Sequence, residues 1–456
     1  MGENHVKKKL AIAALGGALV LSGLGINTAF NTAEAKSDHS ERKVENVIFM
    51  IPDGYSAAYA TNYRWYKGES TTMDSMLVGM SRTYSNNSEV TDSAAAGTAM
   101  ATGTKTNNGM ISTAPDGKQL KTIMEAAKEE GKATGLVATA TITHATPAVF
   151  SSHVAARANE GDIAPQQIEN ADVLLGGGKQ YFLPEAQGGK QKERNLLAEA
   201  KEKGFTYVED RDQLMSAKGD KLIGLFANDA MAPELDREET NQPSLEEMTV
   251  KAIDTLEKDK DGFFLMVEGS QIDWAGHAHD AAWAMKDAAA FEKAVQKALD
   301  FAKKDGNTLV VVVGDHDTGG MSVGGYGVYD AKTEVLRDVT ATGNYMASKL
   351  NADKSNLKEV VKTYTSLDLT DAEINKINAE KNTANAINDV ISERALVGWT
   401  TPQHTGVDVP LYAFGPQSDE FRGLHNNTDI PNIMAEAMNV PFGEENKHQD
   451  AADRKH

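Results

Sequence analysis

The chain has no cysteine among its 456 residues. That excludes disulfides, thiolate metal ligands and a lipid-modified cysteine behind an N-terminal apolar run. Any metal site has to be assembled from carboxylates, imidazoles and hydroxyls. Positive charge is scarce too: 46 Lys plus Arg stand against 66 Asp plus Glu, a formal net charge of −20. The balance argues against nucleic acid as the main partner, because phosphate backbones are held by basic patches. Part of the acidic excess can itself be metal ligands, which a formal count leaves uncompensated. Beyond the N-terminus no apolar run is long enough to span a membrane.

The N-terminus carries Lys7, Lys8 and Lys9, then LAIAALGGALVLSGLGI, then Ala33, Glu34 and Ala35. Charged, apolar and small-residue regions in that order read as a secretory signal peptide over residues 1–35, cleaved after Ala35. An uncleaved anchor helix is the competing reading, disfavoured by the glycines that interrupt the run. The protein is therefore expected outside the cell or associated with the cell wall. Residues 36–45 are charged and read as a flexible lead-in, and residues 443–456 as a frayed polar tail.

Between these ends, strands and helices alternate. VENVIFMI at residues 44–51 is short, apolar and closed by a Pro-Asp-Gly turn, so it reads as a buried strand. KTIMEAAKEEG reads as a helix, ATGLVATATITHATP as a strand, and SLEEMTVKAIDTLEKD as an amphipathic helix. DGFFLMVEGSQID and NTLVVVVGDHD are apolar strands on either side of the long helix AMKDAAAFEKAVQKALDFAKKDG. This order predicts an α/β fold, a three-layer sandwich around a large, mostly parallel central sheet. Residues 46–442 are expected to form one domain. The stretch of about 319–398 is glycine-rich at first and then has short helical pieces, and it reads as an inserted, crown-like subdomain.

Acids and histidines gather where strands end. IFMIPDG ends on Asp53; FFLMVEGSQIDWAGHAHD carries Glu268, Asp273, His277 and His279; LVVVVGDHD carries Asp315 and His316; TTPQHTG carries His404. Open parallel sheets bind ligands outside the carboxyl ends of their strands. Carboxylates collected there would repel or lie desolvated unless cations joined them. Asp273 and His277 are four apart and share one face of a helical turn. The donors exceed what one zinc needs, so two metals are the natural count. Taken singly, Asp53 would be a turn former and His404 a hydrogen-bonded structural residue. His279 duplicates His277 and falls to an outer layer or the surface.

One further stretch, VTDSAAAGTAMATG at residues 90–103, has almost no side-chain volume behind Ser93. A close-packed helix presenting a hydroxyl in its first turn fits, although in isolation Ser93 would be an ordinary helix-capping serine.

With these pieces in place, the chain resembles the alkaline phosphatase family. TDSAAAGTAMATGTKTNNG resembles its nucleophile signature; VEGSQIDWAGHAHD, VVGDHDTGG and QHTGVDVPLYAFGP resemble its metal-binding blocks; LLGGGKQYF and KLIGLFANDAM are similar to its structural stretches. The likeness runs in family order from about Val44 to Asn439. It implies that Ser93 is the nucleophile, forming a phosphoserine that water hydrolyses. It implies one zinc on Asp273, His277 and His404, a second on Asp53, Asp315 and His316, and a magnesium on Asp53, Thr146 and Glu268. Arg157 would clamp the phosphate with help from Asp92. The implied activity is hydrolysis of phosphate monoesters for extracellular phosphate scavenging, in a homodimer, although the family has monomers too. The chain departs from the enterobacterial members at two positions, with His144 and Trp274 where they carry Asp and Lys. His144 would then border the third ion, and Trp274 would remove a positive charge near the phosphate.

Three rivals remain. The first is a related phosphodiesterase, which would need room for a second ester group, or a broad phosphotransferase of the same superfamily. A sulfatase needs Cys or Ser in a C/S-x-P-x-R context, whereas Ser93 is followed by three alanines. A non-catalytic metal- or phosphate-binding protein would not need nucleophile, clamp and ligands together.

Overall fold

A computed structural model describes residues 43–443 and Asn446. The expected signal peptide, most of the lead-in and most of the tail lie outside the described residues. The strands, in chain order, are β1 (Asn46–Pro52), β2 (Leu77–Arg82), β3 (Ala133–Thr141), β4 (Val173–Gly177), β5 (Thr206–Val208), β6 (Leu222–Leu225) and β7 (Phe263–Gly269). They continue with β8 (Thr308–Val313), β9 (Asp317–Thr318), β10 (Ser322–Val323), β11 (Val397–Gly398), β12 (His404–Thr405), β13 (Val409–Phe414) and β14 (Gly423–Asn426).

Ten of these form one sheet in the order β14-β2-β13-β8-β1-β7-β3-β4-β6-β5. Only β13 runs against the rest: it pairs antiparallel with β2 and β8, while every other pairing in the sheet is parallel. β1 lies near the middle because it is apolar on both faces. Ile48 and Met50 point into one apolar layer, and Val47, Phe49 and Ile51 into the other. Fully burying side chains of this size is worth about 1.5–3 kcal/mol each, which favours the two-sided position over an edge. Helices Ala57–Lys67, Leu245–Leu256 and Ala281–Asp305 cover the first face. Helices Ser93–Thr102, Ile123–Glu129, Ala145–Ser151 and Asp429–Met438 cover the second. The result is the three-layer α/β sandwich expected from the sequence.

Residues 319–398 carry four α-helices: Gly343–Ser348, Leu357–Thr365, Asp371–Ala379 and Thr383–Arg394. Their apolar residues, among them Met346, Val361, Ile387 and Ile391, join the same cluster as the helix Ala281–Asp305. This segment therefore caps the first face and shares its core. The last two of these helices are separate because the Asn382 side chain accepts a hydrogen bond from the Asn385 amide and starts a new helix. Order also extends further than composition suggests at both ends. Val44, in the expected flexible lead-in, is completely buried. Asn446, in the expected frayed tail, is buried and donates to the Thr102 and Lys121 carbonyls. Among the described residues no helix is long and apolar enough to cross a membrane.

The register aligns the carboxyl ends of the central strands. Ile51 of β1 lies beside Glu268 of β7, and Met50 beside Val312 of β8. Asp53, Glu268 and Asp315 are thereby delivered to one end of the sheet.

Candidate active site

Every residue of the helix Ser93–Thr102 is buried. Its small side chains permit close approach: a Cβ added at Gly97 would stand 2.8 Å from Val149 of the neighbouring helix. Asp92 caps the helix, its Oδ1 accepting from the Ala95 amide at 3.0 Å. The other carboxylate oxygen accepts from the Gly109 amide and from Arg157 Nη1, both at 3.0 Å. One side chain thus fixes a helix end, a loop and a guanidinium. Ser93 follows at the first helical position, 2% exposed, with Oγ 3.2 Å from His316 Nε2. The free amides and dipole of that helix end favour an anion beside it.

Beneath Ser93 lie Asp53, Glu268, Asp315 and His316, all buried. His316 Nε2 is 3.1 Å from Asp315 Oδ2 and 3.6 Å from Asp53 Oδ1. Thr146 Oγ1 donates to Asp53 Oδ2 at 3.3 Å. Asp53 Oδ1, Asp315 Oδ2, both oxygens of Glu268 and His144 Nδ1 are buried without a well-formed hydrogen bond. Burial, reinforced by the neighbouring carboxylates of Asp315, Asp273 and Glu268, pushes Asp53 well above the usual range. Burial likewise pushes Glu268 up to about 7. Burial also works against ionisation of Asp315, but the adjacent His316 imidazole holds it below its ordinary value. Orphaned, mutually repelling carboxylate oxygens are what divalent cations take up, so this donor set fits metal ions.

Two ligand groups share this inner half. Donor atoms of Asp53, Asp315 and His316 lie within 4.8 Å of one another, as do those of Asp53, His144 and Glu268. His144 therefore takes a position inside the group with Asp53 and Glu268, where the sequence suggested a bordering one. Burial and the Arg157 charge push its imidazole down to about 3, so it is a neutral donor. Its Nε2 is 3.0 Å from Arg157 Nη2. Trp274 meets His144 edge-on, with ring centroids 5.8 Å apart.

The outer half is rich in imidazole. Asp273 and His277 occupy the helix Gln271–His277, with His277 Nε2 3.3 Å from Asp273 Oδ2. His404 Nε2 lies 3.2 Å from His277 Nε2 and 3.4 Å from Asp273 Oδ1. Asp273, His404 and His316 form a third group of donors within 4.8 Å of one another. Burial opposes ionisation of Asp273, yet hydrogen bonds from His277 and His404 hold it well below the ordinary carboxylate range. Each ring is aimed by a backbone carbonyl: His277 Nδ1 is 2.7 Å from Pro402 O, and His404 Nδ1 is 2.8 Å from Thr91 O. Such carbonyl contacts fix the ring orientation and leave Nε2 turned towards the donor cluster, where a metal ion could be held.

The thirteen residues given site roles from the sequence, Asp53, Asp92, Ser93, His144, Thr146, Arg157, Glu268, Asp273, Trp274, His277, Asp315, His316 and His404, lie in or against this cluster. The outer donor group, however, joins Asp273 and His404 with His316, and the expected third member, His277, stands beside it with Nε2 3.3 Å from Asp273 Oδ2. Sequence reasoning missed Thr318. Its hydroxyl bonds Asp273 Oδ1 and lies 3.3 Å from His316 Nδ1, tying the two halves together. It also missed Gly109, whose amide braces Asp92. Thr318 was in view within GDHDTGG, but a hydroxyl two residues past a ligand carries no distinctive pattern.

The alkaline phosphatase family model matches residues 44–440. Alkaline phosphatase 3 of Bacillus subtilis is 43% identical over 95% of this chain and 97% of its own length. Among solved structures, the cold-active alkaline phosphatase of a psychrophilic Shewanella sp. superposes with a TM-score of 0.80 at 35% identity, covering 86% of this chain and 99% of that one. A His-to-Glu variant of the alkaline phosphatase from the Antarctic bacterium TAB5, with magnesium in its M3 site, gives 0.67 at 30% identity, over 88% of this chain and 99% of that one.

Proposed function

The chain belongs to the alkaline phosphatase family and is a phosphoric monoester hydrolase; on that premise we propose that Ser93 carries the phosphoryl group between substrate and water. Ser93 Oγ attacks phosphorus, the ester P–O bond breaks, and the departing oxygen takes a proton and leaves as the alcohol. Water then attacks the phosphoserine, releasing inorganic phosphate and returning a proton to Ser93 Oγ. Arg157 presents its planar fork to two phosphate oxygens while Asp92 holds one of its nitrogens. The amides at the start of the helix Ser93–Thr102 face the same anion.

Two Zn2+ would be held by Asp53, Asp315 and His316 and by Asp273, His277 and His404. One Mg2+ would be held by Asp53, Glu268 and Thr146, with His144 as a further donor. Bound there, such ions supply Lewis acidity for the serine and water oxygens and neutralise charge on the leaving oxygen. The observation that carries this reading is the position of Ser93 Oγ: buried, at a helix N-terminus, within 3.2 Å of a ligand imidazole and beside three donor groups. The signal-like sequence of residues 1–35 supports a substrate met outside the cell, where hydrolysis would scavenge phosphate. The homodimer is proposed on the family likeness.

The test compares Ser93→Ala with the parent protein. The parent should turn over a phosphate monoester faster than a diester or a sulfate ester, and an acid quench with labelled substrate should leave phosphate on Ser93. Ser93→Ala should keep its metal content and lose turnover by several orders of magnitude. Intact turnover in that variant would overturn the reading, and a preference for diesters would favour the phosphodiesterase alternative.

A further inference from the structure

His279 stands two residues past His277 and outside every group of metal donors, yet its surroundings are unusually constrained. Its backbone is left-handed, with φ of +52°, a conformation uncommon for a residue other than glycine. The ring lies flat on Trp399, with centroids 5.2 Å apart and planes 6° from parallel. Nε2 is 3.1 Å from the Thr401 carbonyl and Nδ1 3.3 Å from Asp389 Oδ1. The helix Thr383–Arg394 grips the same turn with two more side chains. Asn388 Nδ2 donates to the Ala278 carbonyl at 3.0 Å, and Ser392 Oγ donates to the His279 carbonyl at 2.9 Å. Trp399 Nε1 donates to that serine in turn, at 3.0 Å.

What these contacts hold in place is the strap of residues 399–405. The strap bears His404, and its Pro402 carbonyl aims His277. Its carbonyls at 401 and 402 are thus read by two histidines two residues apart, His279 from the side of the inserted helices and His277 from the side of the ligand cluster. We propose that His279 is a positioning residue: through Thr401 it sets the strap that places His404 and orients His277, so that the inserted helices govern how tightly the outer ion is held. This rests on the reading that Asp273, His277 and His404 hold an ion. Outer-layer contacts of this kind change metal affinity about 10–100-fold when removed.

Two amide substitutions separate positioning from mere packing. Glutamine places its amide nitrogen where Nε2 stands and can keep the Thr401 contact. Asparagine mimics Nδ1, tolerates positive φ better, and loses that contact. The ion-loaded enzyme is titrated with a chelator while bound zinc is measured directly, and the metal-free thermal midpoint of each variant is recorded. His279→Ala and His279→Asn should release one zinc at about tenfold lower chelator concentration and leave the other zinc unchanged. His279→Gln should stay within about threefold of the parent on the same scale, even though its metal-free midpoint falls below that of the asparagine variant. Opposite rankings of zinc retention and metal-free stability are the signature of positioning. If Ala and Asn release zinc as the parent does, or if release follows the metal-free midpoint across all three variants, the inference is overturned. A parent enzyme that binds no zinc would instead overturn the metal assignment itself.

Discussion

Around Ser93 the inner side chains Asp53, Glu268, Asp315 and His316 are at most 1% exposed, whereas His277 and His404 in the outer half leave 35% and 13% of their side chains in solvent. The inner half is dominated by carboxylates with unpaired oxygens. The outer half has one carboxylate, and each of its two imidazoles already holds a carbonyl through Nδ1. Without cations, the inner half must take up protons to relieve desolvation and repulsion, while in the outer half Asp273 stays ionised, held by its hydrogen bonds with His277 and His404. Ion binding in the inner half is therefore tied to release of carboxyl protons, and the more exposed outer half exchanges its ion more easily.

The widest predicted gap between the halves comes from Asp53→Asn. Asp53 serves two of the donor groups, so its loss should deplete two ions and lower kcat/KM on a monoester by on the order of 10³-fold or more, above the usual outer-layer range. His404→Gln, by contrast, should lose a single ion, with activity recovered by excess zinc. Metal analysis of the two variants decides this, and equal losses would break the distinction between the halves.

A smaller effect follows from pH. Glu268 rises from an ordinary 4.5 to about 7, and Asp53 is raised as well. A raised carboxyl contributes stability that is complete below its unfolded value and is lost as pH rises through its folded value. The metal-free protein should therefore lose stability between about pH 4.5 and about pH 7. The ion-loaded protein keeps these groups ionised and should not follow. Scanning calorimetry with and without chelator should show the gap in melting temperature widening across that window; a constant gap would mean the inner carboxyls do not carry the coupling.

The mildest change concerns the rim. Trp274→Lys places a cation near His144 and Arg157 and should tighten inhibition by inorganic phosphate about fivefold, the size of one partly exposed charge contact. An unchanged inhibition constant would remove Trp274 from that role.

Much of this site was legible because apolar strands announce where they stop. An acid directly after IFMIP or FFLMV can only be at a strand exit, and a parallel sheet collects its exits at one end. Asp-x-x-x-His was equally readable, since a helical turn aligns those positions. His144 was harder: nothing local shows that its ring turns inward beside Glu268, on a strand whose neighbour lies more than a hundred residues away in the chain. Thr318 and His279 were harder still. Their partners, Asp273 and the Thr401 carbonyl, are met only through the pairing of β9 with β12 and the packing of the helix Thr383–Arg394.

The sequence by itself determined the alternation of elements, the apolar faces that make a two-sided sheet, the ligand types at the strand ends and the absence of thiolate chemistry, because each depends on residues close together in the chain. Only the tertiary structure decided which carboxylates share an ion, which carbonyl aims each imidazole and how the inserted helices reach the strap behind His404. Those outcomes depend on side-chain direction and on pairings between distant segments, and periodicity along a chain does not encode either.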